Sequence, residues 1–428
     1  MYPKHHSYSL IIIGLTLEIA GLGLSNRKVV EVLKVIQRFV TYRFTVPSFG
    51  SVRNWVAKRG CYILDPRSRK DALGNDWCII ADVSISIGAQ RLLLVLGVDL
   101  SKYDHSLPLC LEDIEVLGLT ALTFDGWTAQ RLTDYLKKHI LAHYSVAYMV
   151  TDGGPNLIRA AKDLGLERID DISHAVAKSV KSAYTQVDGF KEFMDACIHL
   201  RRYNGLNNFI DLRPPMLRGK ARFMNVSCLI YWAKDMLALM DGDVTTRYGK
   251  RPLSDQDRRK LDWLVKYKSM ITNMSQELNL IETISRGLKA EGISNRTVRW
   301  AKKKLQHQAA QRFMQSKVRL DLCHYLDDQL AKCKRLKRDS VICSTDIIES
   351  CFGIYKEERP KGQVVNYHTL RMASYGAFDL TAQRTLESME AKTLNEVGHE
   401  IRDLIKRKPT KKKKEKGGES DKQTFLSP

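Results

Sequence analysis

Asp82 stands inside Cys78-Ile79-Ile80-Ala81-Asp82-Val83-Ser84-Ile85-Ser86-Ile87-Gly88, a run whose partial alternation predicts a β-strand. Burying a carboxylate in such a strand is expensive unless it is hydrogen-bonded, paired or bound to a cation. Arg91 to Leu100 is a second strand, close enough behind the first to predict a hairpin. Thr128 to His139 has the spacing of an amphipathic helix. Ala147 to Thr151 is a short apolar strand that stops at Asp152-Gly153-Gly154, Asn156 to Leu164 is a helix, and Ile169 to Ile172 is a short strand before a helix carrying His174. Strands and helices mixed in this order predict an α/β core with a mixed sheet.

Strand signals vanish between about 180 and 340. Ser254–Ile284 and Thr297–Leu336 are long helical stretches rich in Lys, Arg, Gln and Leu, and sequence compatible with α/β structure resumes near Ser344. Residues 181–340 are therefore expected to be an all-helical insertion within the α/β unit formed by 76–180 and 341–400. Ahead of that unit, residues 8–60 read as three helices. Ile11, Leu15, Ile19 and Leu22 share a face of the first. Ser25 caps a second with Val29, Val32, Leu33 and Ile36 inward, and the third runs from Phe49 to Lys58 and ends at Gly60.

Residues 1–75 hold 12 Lys and Arg against 4 Asp and Glu. Arg27, Lys28, Arg53, Lys58 and Arg59 on short helices suit a helix-turn-helix that contacts DNA, and equally a helical packing module with a solvated basic face. The whole chain of 428 residues carries a formal charge of +21, which favours a polyanionic partner. Residues 401–428, dominated by Lys, are expected to be a disordered tail. Nine cysteines without a Cys-x-x-Cys pair argue against a zinc ribbon and a secreted disulfide framework, and for a reducing, cytoplasmic setting on the nucleoid. The apolar stretch Leu10–Leu24 contains Glu18 and falls short of the roughly 20 residues that span a bilayer.

Asp152 at a strand end before Gly-Gly suits either a turn former or a ligand projecting into the cleft of an open sheet. Glu349, in Ser344-Thr-Asp-Ile-Ile-Glu-Ser-Cys-Phe-Gly, lies one turn into a helix capped by Thr345 or Asp346, where a glutamate is either solvated or functional. Three carboxylates from separate elements are what two-metal phosphoryl transfer requires, with cations roughly 4 Å apart activating the attacking oxygen and stabilising the leaving one. Hard oxygen donors suit Mg²⁺ or Mn²⁺.

An Asp on the first strand of a hairpin, an Asp ending a later strand and a Glu on a helix after an insertion resemble the DDE transposases of the RNase H-like fold. The resemblance runs from the N-terminal helices to about residue 385. Within those enzymes it is similar to a bacterial insertion-sequence group, through five ordered motifs. They are Trp77 to Gly88, Thr151-Asp152-Gly153-Gly154, Asp171-Ile172-Ser173-His174-Ala175-Val176-Ala177-Lys178, Lys220-Ala221-Arg222-Phe223-Met224-Asn225, and Ile347 to Lys356. Val83-Ser84 and Ile354 depart from the group's pattern. The resemblance implies an N-terminal helix-turn-helix that binds element ends, a catalytic core and an α-helical insertion. It implies Asp82, Asp152 and Glu349 as ligands of two Mg²⁺ or Mn²⁺ ions, and His174 as an auxiliary group or a satisfied core histidine. Lys220, Arg222 and Lys356 become candidate phosphate contacts. The partners implied are the terminal inverted repeats and target DNA, both double-stranded, and a second copy of the chain in the synaptic complex. A nuclease of the same fold, a DNA-binding transposase derivative without catalysis and a ribosome-associated basic protein are the competing readings.

Overall fold

The computed structural model describes residues 2–406 apart from 5, 42, 67, 69–75, 88–89, 124–125, 204–209, 217–225, 244, 247, 249–252, 359–369, 371 and 374–380. Its centre is a mixed sheet in the order β5-β4-β1-β2-β3-β6. β1 (Asp76–Ile87), β2 (Gln90–Asp99) and β3 (Ile114–Thr123) form an antiparallel meander. β4 (Ser145–Thr151) and β5 (Glu167–Asp170) extend it in parallel beyond β1, and β6 (Ile405–Lys406) pairs with β3. The predicted hairpin is thus present. β3 has no counterpart among the expected elements.

Both faces of the sheet are covered, so its strands are apolar on both sides. Trp77, Ile79, Ala81, Leu93, Val95 and Met149 pack under α4 (Ala129–Leu136) and α5 (Pro155–Asp163). Cys78, Ile80, Leu92, Leu94, Tyr148 and Val150 face the other way. There α6 (Ile172–Tyr184) and the helices that follow share one core with the sheet.

The insertion is all-helical among its described residues. It comprises α7 (Phe190–Tyr203), α8 (Val226–Met240), α9 (Asp255–Leu261), α10 (Lys268–Glu291), α11 (Asn295–Gln306), α12 (Gln308–Phe313) and α13 (Ser316–Arg335). The helical stretch expected from Thr297 to Leu336 is present as three helices, parted at His307, whose side chain caps α12, and again at Gln315. α13 closes the exposed edge of β5. Lys332 Nζ reaches Asp170 Oδ2 at 2.7 Å, Gln329 Oε1 accepts from Asp170 N–H at 2.9 Å, and Tyr325 O–H donates to the Asp170 carbonyl at 2.8 Å. Burial raises the Asp170 carboxyl, but the hydrogen bond and charge of Lys332, with Arg168, outweigh it and leave it below the usual range. The chain then pairs Val341 with Ile293 in an isolated bridge, meets β4 where Ile342 N–H donates to the Tyr148 hydroxyl oxygen at 3.1 Å, and enters α14 (Asp346–Glu358).

The N-terminal helices are α1 (Leu10–Gly21), α2 (Asn26–Phe39) and α3 (Phe49–Leu64). In α2 the Ser25 cap, accepting from Lys28 N–H, and the inward Val29 and Leu33 are as expected. Two expectations need correcting. In α1 the buried side is Ile12, Ile13, Thr16, Leu17, Ile19 and Ala20, while Ile11 and Leu22 are exposed, because a helix apolar all round does not reveal its inner face. Gly60 does not end α3. It sits in mid-helix, where an added Cβ would stand 2.5 Å from the Leu370 carbonyl oxygen, so glycine there permits close packing.

That contact belongs to a third core in which α1–α3 enclose Leu370 and side chains of α15 (Ala382–Glu390) and α16 (Leu394–Leu404), notably Met389 and Val397. The segment 381–404 therefore packs on the N-terminal helices. Residues 401–406, expected to begin a disordered tail, instead complete α16 and form β6. The remainder, 407–428, lies outside the described residues. Among the described residues, no helix is long and apolar enough to cross a membrane.

Candidate active site

Alternation along β1 puts Cys78, Ile80 and Asp82 on one face, and along β4 it puts Tyr148, Val150 and Asp152 on the same face. Ile80 pairs with Val150, so continuing the ladder by two residues brings Asp82 level with Asp152 on adjacent parallel strands. Both stand where the apolar rows end, on the side covered by α6 and α14. Asp152 also serves its turn: its Oδ1 accepts from Gly154 N–H at 2.9 Å. The two readings of that residue are thus compatible.

The Asp82 carboxyl is pushed up to about 7. Burial is the main cause, and the negative charge of Asp152 adds to it. Val83 N–H opposes the rise, Glu349 contributes further to it, and His174 offsets part. Glu349 is raised too, by burial first and then by Asp346, with His174 and Lys289 pulling the other way. Asp82 therefore senses both other carboxyls predicted from sequence, and His174 acts on Asp82 and on Glu349.

Glu349 owes its place to a buried carboxylate that the sequence had shown only as part of a motif. Asp171, 2% exposed, caps α6 by accepting from His174 N–H at 2.7 Å through Oδ1. Its Oδ2 accepts from Thr345 N–H at 2.6 Å and Thr345 O–H at 3.0 Å. Ile172 N–H adds a bond to the Cys343 carbonyl at 3.0 Å. One side chain thus fastens the helix of His174 to the entry of the helix of Glu349. Thr345 caps α14 through its carbonyl, which accepts from Ile348 N–H, because its hydroxyl is turned to Asp171. Asp346, in the first turn, is held by Lys289 of α10 and by Ser173 O–H at 3.3 Å. The Asp171 cap follows from a local pattern, Asp before a helical run. Its bond to Thr345 had no local signal.

Of the basic residues expected to meet DNA, Arg27, Lys28 and Arg53 are exposed. Lys28 is shared with Glu31 at 3.2 Å, and the Arg27 guanidinium lies 5.8 Å from the Phe49 ring centre. Lys58 is turned inward, its Nζ donating to the Met389 carbonyl at 2.5 Å, and burial lowers its pKa. Arg59 corrects the expectation. It is 4% exposed, and burial pulls its guanidinium down to about 10 against the raising influence of Glu18. Facing the α1–α3 core, it offers nothing to a phosphate. Lys220 and Arg222 lie outside the described residues. Lys356 falls on α14, with its side chain outside them.

The donor set suits a hard divalent cation. Its oxygens are anionic, their mutual repulsion is what a cation removes, and His174 Nε2 is buried with no hydrogen-bond partner. Among the described residues, no three His, Cys, Asp or Glu side chains are already drawn into a single ligand shell. A cation would have to gather them.

No protein-family model matches this chain, and no curated protein matches it. It is similar to a solved chain described as "Drosophila P element transposase strand transfer complex", at 12% identity and a TM-score of 0.43, over 91% of this chain and 94% of that one. A likeness that shallow carries no argument about function.

Proposed function

We propose that this chain is a DNA transposase of the DDE type, built on an RNase H-like sheet with an α-helical insertion. What supports the reading is that Asp82 and Asp152 come level at one end of one sheet face, where the charge of Glu349 on α14 also acts on Asp82. There burial first, and then the charges of its neighbours, raise the Asp82 carboxyl to about 7. Structural acids are placed beside cations or capped donors, as Asp170 is beside Lys332. A carboxylate buried where two other acids act on it serves a bound cation better than it serves folding. The insertion between β5 and α14 fits the same scheme, since its α10 supplies Lys289 to the helix of Glu349.

Two Mg²⁺ or Mn²⁺ ions held by these carboxylates would polarise the attacking oxygen and steady the leaving one. Asp82 and Asp152 would fix the site from rigid strands. Glu349 would approach from a helix whose entry Asp171 secures. His174 lowers the cost of gathering the acids by placing a polar ring beside them. The substrates would be the terminal repeats of the element that encodes the chain, then a target duplex, with two copies of the chain joining two ends.

The test is cleavage and joining of those terminal repeats by the full chain with Mg²⁺. Parent protein is expected to nick the ends and transfer the freed 3′ strands, and Asp152→Ala and Glu349→Gln to do neither while still melting cooperatively. An Asp152→Ala protein that cleaves as well as its parent removes the mechanism. Cleavage without joining would make the chain a nuclease.

A further inference from the structure

Helix α11 carries its charge on one side. Thr297, Val298, Ala301 and Leu305 are buried against the insertion. Arg296, Arg299, Lys303 and His307 point outward at spacings of three and four, which align them into one ridge. From Asn295 to Phe313 there is no acidic residue. Glu291 holds Arg296 at 2.6 Å, and on the flank Asp327 holds Lys302 at 2.5 Å. For Arg299 and Lys303, no carboxylate lies within ion-pair distance among the described residues. An open groove of about 740 Å³ runs beside the ridge, lined by Asn295, Arg299, Lys302, Lys303, His307 and Asp327.

The ridge starts beside the segment that leads into α14. Ile293, just before α11, bridges Val341, and the chain from Val341 leads directly to Thr345 and α14. From there, 12 residues of helix extend about 18 Å, the length of roughly five base-pair steps.

We infer that the α11 ridge is a second nucleic-acid surface, tracking the sugar-phosphate backbone of duplex DNA as it leaves the acidic site. This rests on the proposed DNA function and adds to it a contact within the insertion. Protein partners are held chiefly by buried aromatic or aliphatic anchors. The outward stripe itself has none; Trp300 on its flank is 37% exposed, but one edge of its ring rests on Gly287, where an added Cβ would stand 2.6 Å away, and Lys304 lies over its face. Tracking phosphates needs only cations and donors on a straight support, and the ridge supplies those.

The test compares full-length parent, Arg299→Glu/Lys303→Glu, and a control of equal charge change elsewhere on the insertion, Lys191→Glu/Lys266→Glu. Each is titrated with a duplex of mixed sequence over a range of salt, and melting shows that all remain folded. The ridge variant is expected to flatten the slope of log affinity against log salt by about two, and to weaken binding at 0.1 M salt at least about tenfold, beyond the control. A ridge variant indistinguishable from the control overturns the inference while parent binding and cleavage leave the DNA reading standing. A parent that binds no duplex removes both. If the ridge variant loses affinity for polyglutamate but keeps it for DNA, the surface serves an acidic protein segment and the inference is overturned.

Discussion

Without a cation, Asp82 is close to half-protonated at neutral pH, since its carboxyl sits at about 7 against an ordinary 3.8. The unfolded chain loses that proton at a lower pH than the folded chain does. Stability from this group is therefore fully present below about pH 4 and is lost as pH rises through 7. Asp82→Asn is expected to flatten that slope and to raise stability at pH 8 by about 1–3 kcal/mol. Mg²⁺ should raise the Tm of the parent at pH 8 far more than at pH 5, and scarcely raise that of the variant. Parallel pH–stability curves for the two proteins would sink the argument. Asp171 predicts the opposite sign. Asp171→Ala leaves His174 N–H, Thr345 N–H and Thr345 O–H without their acceptor. Urea unfolding is expected to show a loss of about 2–4 kcal/mol, with cleavage lost as α14 shifts. The two residues also differ in how visible they were. Asp82 was conspicuous because a charge in an apolar strand has a known cost, whereas half of what Asp171 does depends on a residue that only folding brings near.

Among the elements, those with a dense apolar run or a clear helical period were readable: β1, β2, β4, α2, α4 and α5. β3 was not. Glu115, Gly118, Thr120 and Thr123 dilute its apolar run, and a register shift where it pairs with Val95 and Leu96 breaks the alternation. The helical character of the insertion was readable, but its fusion with the sheet into one core was not, because α10 packs on α6 across a long stretch of sequence and around a buried polar pair. There Glu277, fully buried on α10, accepts from Tyr184 O–H of α6 and from Gln315 N–H at 3.3 Å. Burial pushes Glu277 up to about 7, with Tyr184 and Gln315 pulling it down. The folded value exceeds the ordinary 4.5, so stability from this group is complete below about pH 4.5 and is lost as pH rises through 7. Glu277→Gln keeps an acceptor without the charge. Its unfolding free energy is expected to match the parent at pH 4.5 and exceed it by about 1–3 kcal/mol at pH 8.5. A constant difference across that range would show that ionisation of Glu277 is not the cause.

At the scale of the whole molecule, the chain closes on itself. The basic N-terminal helices resemble a separable DNA-binding module in sequence, with a net surplus of cations before the first strand. Their core, however, is completed by Leu370, Met389 and Val397, contributed after α14. Lys58 is tied to Met389, and Tyr62 O–H donates to Glu387 at 2.6 Å. Composition could not show this, because the contacts join the two ends of the sequence across the whole sheet and insertion. Residues 1–75 alone would expose the apolar surface that α15 and α16 cover, with Lys58 and Tyr62 deprived of partners. That fragment is expected to lack a cooperative thermal transition by circular dichroism. Adding a 381–404 peptide should restore one in proportion to peptide concentration, by mass action. A sharp transition in the fragment alone would make the N-terminal helices an independent module. If they depend on the C-terminal helices, end recognition and catalysis share one framework, because β6 continues directly from α16 into the sheet that carries Asp82. A displacement of α2 would then reach the sheet through α3, α16 and β3.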